Sequence, residues 1–314
     1  MTETATGRSR EVKPAGQSEP VFILAPARSY STVSTALLAG HPAIFGFPEM
    51  LIFAADTVGD LMDKVLFRPN NNPAYIDARL SGIYRAVAEV REGSQSDDAI
   101  SRATSWLRSR TDWPTTQLMD HLLESVKPKI GLEKSPETVE SDEALEACMK
   151  AYPNARYLHL TRHPVGTQHS LYEALQQSLI QPLPKKWAVA VCASSWYLCH
   201  TRITRSLAAL PQAQWRRVRA EDLLGEPLLW LPPILDWLGL AHDDQTIRKM
   251  LHTERWRFSG TGPSSKLYGG DPKFMTRSAL RPVAAPGPIE FEPSWELHGE
   301  VIRRMTVLAH DLGY

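Results

Sequence analysis

Cysteine is scarce: the 314-residue chain holds three, Cys148, Cys192 and Cys199, too few for a disulfide framework. The last two lie seven positions apart in one helical pattern, roughly 10 Å at the helical rise and beyond the reach of an S–S bond. They read as buried thiols of a reducing compartment. Excess charge is missing too, since 35 Lys and Arg balance 35 Asp and Glu. No global field therefore draws the molecule to nucleic acid or to an anionic membrane, and any anion it binds must be held locally. No apolar run reaches the roughly 20 residues of a membrane span, and residues 1–19 contain no apolar stretch that could act as a secretory signal. The expectation is a flexible tail over 1–19, a single domain over 20–314 and a cytoplasmic protein. A hydrophobic fraction of 43% is enough to fill its core.

The apolar residues that are present come in short, punctuated runs. VFILA, starting at Val21, is apolar at consecutive positions, as a strand covered on both faces would be. KPKIGLEKS (127–135), ARYLHLTR (155–162) and QWRRVR (214–219) give three further strand candidates. Helical patterns follow them, one after Ser31 with Val33, Leu37 and Leu38 near helical spacing and Gly40 and Pro42 closing it, and one from about Asp142 to Tyr152 with acidic residues in its first turn. Strands alternating with helices predict an open α/β sheet, whose ligands collect at the carboxyl ends of the strands. Between Met50 and about Lys127 the pattern is helical, with no obvious strand, and reads as an insertion. The segment 257–293 is rich in Gly and Pro and reads as irregular. A last helix places Leu297, Val301, Met305, Leu308 and Leu312 on one apolar face.

The loop after the first strand, ARSYST at 27–32, is dense in donors. A strand that delivers a polar loop to a helix N-terminus makes an anion site, because free N–H groups and the helix dipole both point at the loop. Arg28 adds a bidentate cation, and Ser29, Ser31 and Thr32 add hydroxyls. The same residues also suit a Ser/Thr helix cap beside a surface arginine. GxxxxGK[ST] is absent, and with it the lysine and glycines of a nucleotide triphosphatase. LTRHPVGTQHS repeats the arrangement after the third strand candidate, with Arg162 at the strand end and Ser170 placed to reach the same phosphate. His159 and His163, four apart across a strand and a loop, share no face on which to hold a metal.

These motifs resemble those of the sulfotransferases that use 3′-phosphoadenosine 5′-phosphosulfate, PAPS. The family's first loop, PRSGST, is similar to ARSYST, and its second signature of Arg, His, Pro and a later Ser matches Arg162, His163, Pro164 and Ser170. The resemblance continues in order through HPAIFGFPE (41–49), GLEKSPE (131–137), RVRAEDLL (217–224), WLGL (237–240) and GGDPKF (269–274), and is greatest to the bacterial and polyketide-synthase-embedded branch. It implies a P-loop-NTPase-like, open, mainly parallel sheet flanked by helices, with the insertion at about 50–127 binding the acceptor. Phe53, Leu61, Met62, Leu66, Phe67, Tyr84 and Trp106 would supply apolar surface there.

The roles it implies suit the residues. Arg28 with Ser29, Tyr30, Ser31 and Thr32 would hold the 5′-phosphosulfate, Arg162 and Ser170 the 3′-phosphate, and Lys266 would close over the latter. Lys134 would neutralise the bridging oxygen, and Glu49 would be the general base, with His169 as a rival; Glu49 also suits the start of a helix. The product would be PAP and no metal would be needed. The acceptor would be a small-molecule hydroxyl, free or carried on an acyl carrier protein. The pattern breaks at Tyr30, where relatives have glycine, and at Ala220, where many have a tyrosine near adenine. A P-loop nucleotide kinase and a catalytically silent nucleotide-binding homologue are the alternatives.

Overall fold

A computed structural model describes residues 19–63, 73–177, 184–260 and 269–314. One sheet is built from β1 (Val21–Leu24), β2 (Ile44–Gly46), β3 (Ile130–Glu133), β4 (Arg156–Thr161) and β5 (Trp215–Arg219). Their order is β2-β3-β1-β4-β5, with every pairing parallel. Four of these strands are the runs expected from sequence. The fifth, β2, is three residues long inside HPAIFGFPE, too short to show a period, and it exists because Ile44 to Gly46 pair with Ile130 to Leu132.

The helices preceding β3 are α1 (Ser31–Leu38), α2 (Val58–Asp63), α3 (Pro73–Glu92), α4 (Asp97–Arg108) and α5 (Thr115–Ser125). Then come α6 (Asp142–Ala151), α7 (Pro164–Gln177), α8 (Lys185–Leu207), α9 (Ala220–Gly225), α10 (Pro227–Trp237) and α11 (Asp244–Met250), followed by α12 (Pro272–Thr276) and α13 (Gly299–Asp311). None of the described helices is long and apolar enough to cross a membrane.

The period of two in a strand divides the core. All four residues of β1 are buried. Phe22 and Leu24 join a cluster filled by α2 to α6 and α8, whereas Val21 and Ile23 join Leu37, Leu223, Ile234 and Met250 from α1, α9, α10 and α11 on the other face. Phe22 has its ring 5.3 Å from that of Tyr152 and 5.7 Å from that of Phe53, within the range where aromatic pairs add stability beyond area burial. Because every strand runs the same way, the loops after β1, β3 and β4 open at one edge of the sheet, and β1, flanked by β3 and β4, marks the switch point.

Two expectations shift. Phe53, Leu61 and Tyr84 are buried in the cluster of Phe22, and Met62 and Trp106 pack against it, so the apolar surface of the insertion fills core; Leu66 and Phe67 lie outside the described residues. On α13 the buried arc runs through Met305, Ala309 and Leu312, with Ile302 half-buried, while Val301 is 37% exposed. Leu297 and Leu308 pack against this arc as expected, so Val301 alone leaves the expected stripe and Ala309 joins it.

Three cysteines are buried and free; burial pushes the thiols of Cys192 and Cys199 up to about 12, so they are inert at neutral pH. Behind β4, His159 and His200 are fully buried with Nε2 of the first 2.9 Å from Nδ1 of the second. Arg217 donates from Nε to His159 Nδ1 at 3.2 Å. An arginine has no acceptor, so the proton on His159 sits on Nε2 and is donated to His200.

Candidate functional site

The loop between β1 and α1 is bent by two residues in the left-handed region, Arg28 (φ 66°) and Tyr30 (φ 59°). Neither is glycine, and each such residue costs on the order of 1 kcal/mol and persists only where its surroundings dictate it. Here they do. Arg162, at the end of β4, donates to the Arg28 carbonyl at 2.6 Å and lies 3.9 Å from the centre of the Tyr30 ring. Tyr30, which replaces the family's glycine, thus serves as a platform for the second arginine. α1 then begins at Ser31 with no side-chain cap and no acid in its first turn. Its first backbone bond runs from Ser34 N to Tyr30 O, so the N–H groups of Ser31, Thr32 and Val33 have no intrahelical acceptor.

These groups line a cavity of about 970 Å³ whose wall includes Arg28, Tyr30, Ser31, Thr32, Glu49, Arg162 and Ser170. Lys134 stands behind that wall, buried, donating to Thr32 Oγ1 at 3.0 Å and forming an ion pair with Glu49. The two signature loops therefore meet: Ser170 Oγ accepts from Arg28 Nε at 3.0 Å, while the Arg162 guanidinium meets the Arg28 carbonyl and the Tyr30 ring. Ser29 is buried with its hydroxyl unpartnered and is not part of the cavity wall. Lys266 lies outside the described residues. His169 is at the rim, its Nε2 3.3 Å from Glu292 and its ring 4.8 Å from that of Trp295.

Sequence reasoning missed several residues. Asp271 pairs with Arg28 at 2.5 Å, and its backbone N–H donates to Thr32 Oγ1 at 3.0 Å. It lies within GGDPKF (269–274), where its carboxylate accepts from Lys273 N at the start of α12. Arg79 and Glu137, an ion pair, also face the cavity, as do Arg277 and Arg281. Glu137 ends the GLEKSPE motif, whereas nothing in the local sequence sets Arg79, Arg277 or Arg281 apart.

Burial lowers the pKa of the Arg162 guanidinium, with Tyr30 and Glu221 opposing, and it remains a cation at neutral pH. Its loop is braced from behind. Glu221 accepts from His163 N at 2.9 Å and from the Tyr314 hydroxyl at 2.9 Å, and that hydroxyl lies 3.1 Å from Thr161 Oγ1. Among the described residues no cluster of His, Cys, Asp and Glu could hold a metal ion.

Glu49 is placed by its backbone. Its N–H donates to Gly269 O at 2.9 Å, and Gly269 N donates to Ser81 Oγ at 2.9 Å. A Cβ on Gly82 would lie 1.8 Å from the Glu49 carbonyl oxygen and 3.2 Å from the Gly269 Cα. Gly82→Ala is therefore expected to cost about 3 kcal/mol or more, the scale of a severe steric substitution, and to displace Glu49. Thermal unfolding checks the first, and an unchanged Tm would contradict it.

Residues 20–244 match the model of the sulfotransferase family. The sulfotransferase domain from the curacin biosynthetic pathway superposes with a TM-score of 0.71 at 19% identity, over 94% of this chain and 98% of that one. The sulfotransferase domain of the Synechococcus PCC 7002 olefin synthase gives 0.69 at 21% identity, over 98% and 99%. A mouse sulfotransferase, SULT7A1, in complex with PAP gives 0.50 at 10% identity, over 94% and 90%. No curated protein matches the sequence. The likeness of these structures extends to the open parallel sheet, which is P-loop-NTPase-like, and the family match spans every strand of that sheet and both arginine loops: the chain belongs to the sulfotransferase family.

Proposed function

We propose that the protein transfers a sulfuryl group from PAPS to the hydroxyl of a small molecule, free or carried on an acyl carrier protein. The observation that carries this reading is the convergence of Arg28, Arg162 and the uncapped start of α1 on one cavity, with Glu49 in its wall and its ion-pair partner Lys134 buried directly behind. The donor set fits a doubly anionic nucleotide: two guanidinium groups, an ammonium, the Ser31 and Thr32 hydroxyls and three N–H groups without intrahelical acceptors. Arg28 already holds a carboxylate, that of Asp271. The mouse structure's complex with PAP supports the choice of nucleotide.

When bound, PAPS supplies an activated sulfuryl group with PAP as leaving group. Arg28 and the first turn of α1 hold the 5′-phosphosulfate end, and Arg162 with Ser170 holds the 3′-phosphate. Lys134 offsets the negative charge that grows on the leaving oxygen, and Glu49 takes the proton of the acceptor hydroxyl. No helix N-terminal lysine of the GK[ST] kind is present to support a kinase. The acceptor side of the cavity, with Arg79, Glu137 and Glu140, is charged rather than apolar, so a polar alcohol suits it best.

Titration calorimetry tests the nucleotide. PAP is expected to bind the wild type, and Arg162→Ala to bind it about 10²-fold more weakly, as befits removal of one partner of a desolvated charge pair. ATP, lacking the 3′-phosphate, should lose a similar factor against the wild type. Equal affinity for ATP and PAP would overturn the proposal.

A further inference from the structure

Beneath Glu49, the turn it stands on is pinned by one buried hydroxyl. Ser135 Oγ accepts the backbone N–H of Met50 at 3.1 Å and of Leu51 at 2.9 Å, and donates to Glu133 Oε1 at 2.5 Å. Those three bonds exhaust the one proton and two lone pairs of a serine hydroxyl, so Ser135 cannot rotate without breaking one. Leu51 is held at φ 60°, a left-handed conformation that leucine avoids without outside support.

Ser135 is 2% exposed and Glu133 1% exposed. Ser135 continues the extended backbone of β3, with φ −127° and ψ 123°. Extended residues alternate sides, which lets Glu133 and Ser135 reach the turn from one side while Lys134, between them, meets the Glu49 carboxylate from the other. The end of β3 thus supplies both the ionic partner of Glu49 and the grip on the backbone that carries it. Glu133 faces Ser135, Lys134, Glu49, the Met50 backbone and Cys148. Burial pushes Glu133 up to about 7; by taking the Ser135 proton, its oxygen leaves both lone pairs of that hydroxyl for the two amides.

We propose that Ser135 and Glu133 are positioning residues for Glu49, clamping the Pro48–Leu51 turn so that the carboxylate is presented beside Lys134 at the cavity. The proposal rests on the reading of Glu49 as the base, and the test separates the two. In nucleotide-free protein, Ser135→Ala is expected to speed amide hydrogen exchange at Met50 and Leu51 at least about tenfold, the factor of one lost hydrogen bond. The amides of Val21–Leu24 should keep their protection. Transfer should then lose about 10²-fold in kcat, the effect of a reacting group misplaced by about 1 Å, with the KM for PAPS and the affinity for PAP unchanged.

Unaltered exchange at Met50 and Leu51 overturns the clamp. So does full kcat in Ser135→Ala when Glu49→Gln is inactive. If Glu49→Gln keeps its rate, the base reading falls instead, and the exchange result alone decides whether the clamp exists. Should Ser135→Ala not fold, Ser135→Cys replaces it in both measurements, because sulfur fills the volume but is a weak acceptor.

Discussion

Glu49→Gln is expected to lower kcat by about 10²–10⁴-fold, the range contributed by a positioned general base, while PAP affinity stays within about threefold. The amide keeps the shape of the side chain and can still accept from Lys134, so folding and the cavity wall should survive. What it cannot do is take a proton. The carboxylate it replaces lines the cavity, 19% exposed, and is ion-paired to a Lys134 that is 3% exposed, so it is poised at the boundary between protein and substrate. Rates of single-turnover transfer, measured beside calorimetry with PAP, separate chemistry from binding. A variant that retains its rate would hand the role to another group, and His169 at the rim is the one to replace next.

Acid is expected to destabilise the protein strongly through His159 and His200. Burial lowers the pKa of both, that of His200 to about 3, with the neighbouring histidine and Arg217 adding to the shift in His159. Both stay neutral in the folded chain, whereas in the unfolded chain each binds a proton near pH 6.5. Stability from this pair is therefore complete above about pH 6.5 and falls as the pH drops below it, by about 1.4 kcal/mol per pH unit for each group. Across pH 6.5 to 5 that amounts to about 4 kcal/mol, set against a typical total of about 5–15 kcal/mol.

Glu133 runs the other way. Its folded pKa is raised to about 7, so the folded state holds a proton that the unfolded state releases, and it favours folding as the pH falls from 7 toward the usual carboxylate range. Comparing wild type with His159→Gln/His200→Asn by urea unfolding at pH 8 and pH 5 cancels that term. The wild type should lose about 4 kcal/mol more than the double variant between the two pH values. Equal losses would mean that the pair is not neutral in the fold.

The parallel sheet was legible because β1, β3 and β4 are short, largely apolar runs that end in loops with arginine or lysine, and β5, though basic, precedes an acidic turn. β2 needed β3 to exist. In the site, Arg28, Arg162, Ser170, Lys134 and Glu49 were legible from the order of motifs along the chain. Asp271 was not, since it acts on Arg28 from 243 positions away. Ser135 lay in plain view within GLEKSPE, yet its two bonds to the turn span 84 and 85 positions, and no local pattern encodes them. The bond from Arg28 to Ser170 is a matter of side-chain direction within a cavity, and spacing alone fixes only proximity.

The contact of Gly82 with the Glu49 carbonyl and the Gly269 backbone bears on how acceptor preference can diversify. Three distant stretches of chain cross where a single Cβ would collide, so an engineer who transplants a relative's α3 into this scaffold inherits a constraint unrelated to what the cavity recognises. The donor helix must bring a residue without a side chain to that crossing, and keep Ser81 one step before it. Shuffled libraries that ignore this register should yield mostly unfolded chimeras, and the survivors should share the Ser-Gly pair whatever ligand they take.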